Sequence, residues 1–200
     1  MELLWMDFVN SFWRDWRGSG KSEDRLENAE WLRHFIAKWN LPGLEPADPG
    51  NIDRLRNLRE LIGRMTGAIT AGEPMRADQI DALNQIMSKG PVVYRIAAHE
   101  DGYKMSSVPL SNGTDQLMAS IAASFAEWIG KGDHSRVRIC ENTDCLWVFY
   151  DDTKNRSKRY CDDRMCGNLL KVRRYRAKGK AHSKTRSEAQ SNTTEPHSTR

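Results

Sequence analysis

The chain has 200 residues, of which 29% are charged and 38% are hydrophobic, and this composition is typical of a soluble globular protein. It is long enough for one medium-sized domain or two small ones. No apolar run approaches the roughly 20 residues that span a bilayer. The first residues do not resemble a signal peptide, because they lack a basic region and because Asp7 and Arg14 interrupt the apolar stretch. We therefore expect a cytoplasmic protein that does not enter a membrane.

The net charge of +4 conceals an asymmetry along the chain. Residues 136–186 contain 15 Lys and Arg but 6 Asp and Glu, which gives +9, whereas the rest of the chain carries −5. A basic segment beside a mildly acidic remainder predicts a module that binds a polyanion, attached to a part with another role.

Apolar residues recur at helical spacing over most of the first 133 residues. Proline and glycine interrupt the pattern at 41–50, which predicts a loop there. The predicted helices are 3–16, 26–40, a helix capped by Asn51 that runs through Ile69, 78–87 and 114–129. Together they would form the core of an N-terminal domain.

Between the last two predicted helices the pattern changes to that of strands. Residues 92–96 are rich in β-branched side chains, 99–102 is typical of a turn, and 103–108 returns, which predicts a β-hairpin. Because an isolated hairpin is marginally stable in water, we expect it to pack on the helices.

All four cysteines lie in one window as two C-x4-C pairs, Cys140 with Cys145 and Cys161 with Cys166. In a cytoplasmic protein such cysteines are more often metal ligands than disulfides. Zinc takes four thiolates in a tetrahedron at about 2.3 Å, and two pairs that each bracket a tight turn supply them. Four cysteine ligands leave no open position for a substrate, so the predicted site is structural. Free or redox-active thiols and an iron–sulfur cluster are the alternatives.

The residues around the cysteines predict a small zinc module. Residues 146–150 look like a strand, 151–155 like a turn and 156–160 like a returning strand, so a hairpin would carry one pair to the other. Gly167-Asn168 would open a helix at 169–178, which places a thiolate near a helix N-terminus. Large apolar side chains are missing beyond this helix, and we expect a disordered tail at 181–200.

The cysteine window begins with Arg138-Ile-Cys140-x4-Cys145-Leu-Trp147-Val-Phe149-x-Asp151 and ends with Tyr160-Cys161-x4-Cys166-Gly167-Asn168, with Lys171 further on. Both stretches resemble the CGNR zinc-finger family. The N-terminal Met6-Asp7-Phe8-Val9-Asn10-Ser11 resembles the entry of the ABATE domain, the usual upstream partner of this finger. The resemblance implies a bacterial, stress-related transcription regulator whose finger binds DNA. The family's arginine after Gly-Asn is Leu169 here, so a DNA contact by that arginine is absent.

Basic residues on and before the last predicted helix are the candidates for binding nucleic acid. They are Arg156, Lys158, Arg159, Lys171, Arg173, Arg174, Arg176 and Lys178. The planar fork of arginine suits phosphate oxygens and the guanine edge. A helix that enters a major groove would favour duplex DNA, whereas stacking by Trp147 or Tyr150 would favour single strands. A solvated charged helix without a partner is the alternative.

Six of the seven tryptophans precede residue 130, and aromatic side chains between helices could line a pocket for a small effector. Asp7, Asn10 and Trp31 are the candidate pocket residues. The alternative is that the tryptophans form the core, and that Asp7 and Asn10 tie the first helix to a neighbouring backbone. The five histidines are scattered, and no phosphate-binding loop or hydrolase motif occurs, so we do not expect an enzyme.

The sequence as a whole predicts an α+β protein. A mainly helical domain with a β-hairpin occupies 1–133, and a treble-clef or zinc-ribbon-like module that ends in a basic helix occupies 134–180. The predicted function is a zinc-containing regulator that binds nucleic acid, with duplex DNA as the favoured partner, and that senses a small molecule or forms a homodimer. An RNA- or ribosome-associated zinc protein and a protein–protein adaptor are the rival functions.

Overall fold

The computed structural model describes residues 3–41 and 49–178. The chain has the predicted α+β architecture and divides into two compact units, Met1–Cys161 and Asp162–Arg200. The predicted tail at 181–200 and most of the predicted loop at 41–50 lie outside the described residues. Of the helices within the described ranges, none is both long enough and apolar enough to cross a membrane.

Five α-helices form the bulk of the first unit: α1 Leu4–Val9, α2 Ala29–Lys38, α3 Pro49–Ala71, α4 Ala77–Ser88 and α5 Thr114–Lys131. Their apolar faces share one core. Trp5 of α1 is fully buried against Phe125 and Trp128 of α5, at ring-centroid distances of 5.1 and 4.7 Å. The predicted helices at 78–87 and 114–129 are confirmed as α4 and α5, because their apolar periodicity matches the faces that they bury.

The predicted helix at 3–16 is wrong beyond Val9. Phe12–Arg14 forms strand β1, which pairs antiparallel with β2 at Ser22–Asp24. Ser11 lies between the end of α1 and the start of β1 and is fully buried. Its carbonyl accepts a hydrogen bond from the backbone N–H of Arg25 at 3.0 Å. Tertiary contacts therefore override the spacing of four between aromatic residues, which by itself predicts one continuous helix.

Helices α2 and α3 begin at residues other than those predicted. A 3₁₀ turn at Arg25–Glu27 replaces the first turn of the predicted helix at 26–40. Asn28 then caps α2 by accepting from two backbone N–H groups of its first turn, at 3.1 Å each. Helix α3 begins at Pro49, so Asn51 is not its cap. Proline suits a first turn because its missing N–H would have no helical partner there.

The predicted β-hairpin is confirmed as β3 Val92–His99 and β4 Gly102–Pro109. The expectation that it packs on the helices is wrong, since nearly every side chain of both strands is exposed. Its base is held by the buried amide of Gln116, which donates to the carbonyl of Gly90 at 3.2 Å and accepts from the hydroxyl of Ser111 at 3.0 Å. The strands therefore extend from an anchored base.

The strand predicted at 146–150 is present as β6 Val148–Tyr150, but its partner differs from the prediction. It pairs with β5 at Val137–Ile139 rather than with residues 156–160, which form no strand. The buried carboxylate of Asp151 explains the difference, because it accepts from two backbone N–H groups further along, at 3.0 and 2.9 Å. These bonds shape the residues after β6 into a loop.

The second unit begins with a π-helical turn at Asp163–Gly167, which leads into a helix that is described over 168–178 and is called α6 below. The helix predicted at 169–178 is thus confirmed. Its start coincides with Gly167-Asn168, as the sequence indicates.

Candidate metal centre and basic helix

The first cysteine pair lies on a tight turn between β5 and β6. The N–H of Cys140 donates to the carbonyl of Trp147 at 2.8 Å, and the N–H of Cys145 donates to that of Asn142 at 2.8 Å. Leu146 has a left-handed backbone with φ of 59°, after which the N–H of Trp147 hydrogen-bonds to the Cys145 sulfur. The turn thereby brings the two sulfurs together.

The sulfurs of Cys140, Cys145, Cys161 and Cys166 all lie within 4.8 Å of one another, and no disulfide joins them. Those of Cys145 and Cys161 are 3.7 Å apart. Cys140, Cys145 and Cys166 are buried, whereas Cys161 is half-buried. The structure therefore brings the four predicted ligands into a cluster that can hold one metal ion.

The crowded thiols make one another's ionisation interdependent. Hydrogen bonds from Cys145 and Cys161 lower the pKa of Cys140 to about 2. The interaction with Cys140 raises the pKa of Cys145 to about 12, and it raises the pKa of Cys161 as well. One thiolate thus opposes the formation of the next. A bound divalent cation offsets this repulsion and allows every sulfur to ionise.

The second cysteine pair leads into α6. The carboxylate of Asp162 caps the π-helical turn by accepting from the N–H of Met165 at 2.8 Å, and the Asp162 carbonyl accepts from Gly167 at 3.1 Å. Cys166 therefore sits in an ordered turn directly before the helix. The positive end of the helix dipole favours a thiolate there.

Three of the predicted nucleic-acid-binding residues lie in the loop before Cys161: Arg156, Lys158 and Arg159. Each forms an ion pair with a carboxylate. Arg156 lies 3.0 Å from Asp133, Lys158 lies 3.7 Å from an aspartate, and the Arg159 Nε donates to both oxygens of Glu141 at 2.8 Å. These carboxylates compete with phosphate for the cations, so the loop is a weaker candidate for the interface than α6.

The other five predicted residues all lie on α6 and are exposed: Lys171, Arg173, Arg174, Arg176 and Lys178. The described part of α6 contains no acidic residue. Tyr175, on the same helix, is 80% exposed. The helix therefore presents a dense positive charge to solvent.

Strands β5 and β6 and the turn that carries the first cysteine pair, residues 137–150, are called the cysteine module below, and two asparagines join this module to the helical part of the first unit. Asn10, at the end of α1, donates to the carbonyl of Val148 at 2.8 Å and accepts from its N–H at 2.9 Å. Asn142, fully buried in the cysteine turn, donates to the carbonyl of Trp16 at 2.8 Å. Val137 and Val148 also belong to the core of the helices. The sequence offers a backbone tie as one reading of Asn10 but gives no signal for Asn142.

The other two candidate pocket residues are engaged in packing. The Asp7 carboxylate accepts from Lys38 at 2.9 Å and from the indole of Trp39 at 2.8 Å. Trp31 stacks on Phe35 with ring centroids 5.1 Å apart. A cleft of about 480 Å³ between the end of α3 and β5 is lined by other residues. Binding of an effector by Asp7, Asn10 and Trp31 stays a prediction.

We expect Asn10→Ala to lower the free energy of unfolding by about 2–3 kcal/mol, because it leaves the buried N–H and carbonyl of Val148 without partners. Denaturant titration followed by tryptophan fluorescence measures this loss. The matched control is Asn28→Ala, which removes the exposed cap of α2 and should cost about 1 kcal/mol. A loss for Asn10→Ala no larger than that of the control would contradict a link through Val148.

A helical body with a four-cysteine cluster, followed by a cationic helix, defines a protein of the metal-finger class. Residues 2–132 match the ABATE family model, described as "putative stress-induced transcription regulator", and residues 136–179 match the CGNR zinc finger. The chain therefore belongs to the ABATE family and combines its domain with a CGNR zinc finger, which confirms the resemblance read from the sequence. No curated protein matches the chain.

Proposed function

We propose that this protein is a DNA-binding transcription regulator in which Cys140, Cys145, Cys161 and Cys166 bind one structural zinc ion and α6 binds the DNA backbone. One observation carries the proposal: a compact four-sulfur cluster is followed directly in the chain by an exposed helix rich in lysine and arginine. The family description, which concerns transcription regulation, supports it.

The dimensions of the cluster support zinc. A tetrahedron with metal–sulfur bonds of about 2.3 Å has sulfur–sulfur edges of about 3.8 Å. The separation of 3.7 Å between the Cys145 and Cys161 sulfurs meets this value. Sulfurs that all lie within 4.8 Å suit a single ion better than an iron–sulfur cluster, which must fit several irons and sulfides between its cysteines. Four sulfur ligands fill the coordination sphere, so the ion would organise the fold rather than catalyse a reaction.

The charge of α6 supports nucleic acid as the partner. Its cations include Lys171, Arg176 and Lys178, which are all exposed. Each phosphate that a cation neutralises releases condensed counterions, so the affinity should fall steeply as the salt concentration rises. The described helix spans about 16 Å, enough to lie across the major groove of about 12 Å.

The test reverses these three charges together, as Lys171→Glu, Arg176→Glu and Lys178→Glu. We expect the affinity for duplex DNA selected from a random pool to fall at least 100-fold at 100 mM salt. The slope of log affinity against log salt should shrink by about 3. Fluorescence anisotropy measures both quantities, and the zinc content should stay unchanged.

The matched control reverses three exposed cations outside α6, as Arg33→Glu, Lys89→Glu and Lys154→Glu. It makes the same change in net charge and should leave the binding to DNA within about threefold. An equal loss in both variants would show that α6 is not the interface. Tighter binding to structured RNA than to duplex DNA at the same salt would instead support an RNA-associated protein.

A further inference from the structure

The β3–β4 hairpin has two unlike faces. Ile96 is opposite Met105 and Ala98 is opposite Tyr103, so these side chains share one face with Tyr94. On the other face, Arg95 is opposite Ser106 and Ala97 is opposite Lys104. The four large side chains of the first face are 69–82% exposed: Tyr94, Ile96, Tyr103 and Met105. A contiguous apolar surface of this kind typically marks an interaction site.

A groove of about 970 Å³ separates the part of this apolar face nearest the base of the hairpin from α5. Val92, Tyr94 and Met105 line one wall, and the small side chains of Ala119 and Ala123 line the other. Because Ala119 and Ala123 are short, this part of the groove stays open between α5 and the hairpin. Among the described residues, neither outer edge of the two-stranded sheet pairs with a further strand.

We propose that a second copy of this chain fills this groove, with the outer end of each hairpin, including its apolar face, seated in the groove of the other. A two-fold arrangement needs only one kind of surface, because the same patch serves both subunits. This chain offers both parts, a protruding apolar hairpin and a groove with apolar lining. An isolated hairpin is marginal in water, so its eight-residue strands gain stability when a partner covers them.

The exposed area suits a dimer. The two tyrosines alone would contribute about 300 Å² of buried surface. Ile96, Met105 and the backbone of the two strands bring the patch toward the ~800 Å² per partner of a standard interface.

The charges are complementary as well. The turn at the tip carries Glu100 and Asp101, whereas two lysines and one glutamate line the groove: Lys104 on β4, and Lys131 and Glu127 on α5, which lie 3.2 Å apart. In a reciprocal dimer, the acidic tip of each subunit meets a groove of net positive charge on the other. The charges thereby determine which end of the hairpin enters the groove of the other subunit.

The first experiment measures the mass of the full chain by light scattering and sedimentation between 1 and 100 µM. We expect a dimer whose dissociation constant rises at least 100-fold in Ile96→Lys. Ala97→Lys is the matched control, because it adds the same charge at an exposed position on the opposite face that does not line the groove, and it should leave the dimer unchanged. A monomer at 100 µM, or equal effects of both variants, would overturn the proposal.

A charge exchange tests the reciprocal arrangement itself. One variant reverses the tip with Glu100→Lys and Asp101→Lys, and another reverses the groove with Lys104→Glu and Lys131→Glu. Each alone should be monomeric at 10 µM, whereas an equimolar mixture should form a heterodimer, since both tips then meet grooves of opposite charge. A mixture that stays monomeric would refute the placement of the tip in the groove. The outcome is independent of DNA binding, because none of these residues lies in the cysteine module or α6.

Discussion

Cys145→Ser is expected to abolish stoichiometric zinc binding, because serine replaces a buried thiolate that lies 3.7 Å from the Cys161 sulfur. A structural zinc site contributes much of the folding free energy of its module, on the order of 10 kcal/mol in small fingers. We therefore expect near-zero metal in elemental analysis after competition with a chelator. Binding to DNA should be lost with it, since α6 follows the second cysteine pair directly.

The loss of zinc should also destabilise the helices of the first unit. Val137 and Val148 belong to the core that holds Trp5 and Phe8, so disorder in the cysteine module exposes part of that core. The melting temperature followed by helical circular dichroism should fall by several degrees while most of the helical signal remains. Thr143→Ala, an exposed change in the same turn, serves as the control and should keep both metal and melting temperature. Full metal retention in Cys145→Ser would disprove ligation by this sulfur.

Asp24→Asn is expected to lower the free energy of unfolding by about 3–5 kcal/mol at neutral pH, the typical cost of breaking a buried ion pair by removing one partner. The carboxylate accepts from Arg59 at 2.6 and 2.8 Å and from Arg56 at 2.9 Å. The side chain of Arg59 is 11% exposed, so the substitution leaves its charge buried without full compensation. Thermal and denaturant unfolding measure the loss.

The ionisation of Asp24 should also make the free energy of unfolding depend on pH. Burial favours the protonated form of Asp24, but the hydrogen bonds and charges of Arg59 and Arg56 outweigh it and lower the pKa from 3.8 to about 2. A pKa that is lower in the folded state stabilises the fold above the unfolded pKa. This contribution, about 1–2 kcal/mol for a partly solvated group, is lost as the pH falls from about 4 to about 2.

The control for both measurements is Asp53→Asn, which removes a mostly exposed carboxylate from the same arginine, Arg56. Its cost should stay below about 1 kcal/mol, as for surface ion pairs in general. The Asp24→Asn curve should run closer to that of the wild type below pH 2 than at pH 7. A constant difference between the two curves over pH 2–5 would contradict the lowered pKa.

The cysteine cluster and α6 could be predicted because their information is local. A spacing of four residues within each pair, a turn between them and a Gly-Asn start to the helix can all be read from one window. The strand pairing in the module could not be read there. Its partner strand, Val137–Ile139, has three residues, and the choice of partner depends on the buried hydrogen bonds of Asp151.

In the helical part, prediction worked where one face of a long helix is buried and failed where short segments meet distant ones. The aromatic spacing through Phe12 and Trp16 suggests a helix, but Ser11 is held by residues of the following turn and of α3. Likewise, Asn10 meets a backbone 138 residues away. A single sequence carries no record of such long-range bonds. The residues of the hairpin were predicted correctly from the sequence. The exposure of its apolar face could not be predicted, because it depends on where the base of the hairpin is anchored.

The paired hydrogen bonds between Asn10 and Val148 mean that the finger is not an independent unit that can be moved to another protein without loss of stability. A peptide cut at residue 136 would expose Val137 and Val148 to water and would lose the carbonyl of Trp16 that Asn142 uses. A chimera that exchanges fingers between family members would fold best where the recipient keeps an asparagine at the end of α1. The affinity for DNA measured on an excised finger would therefore be lower than that of the intact chain.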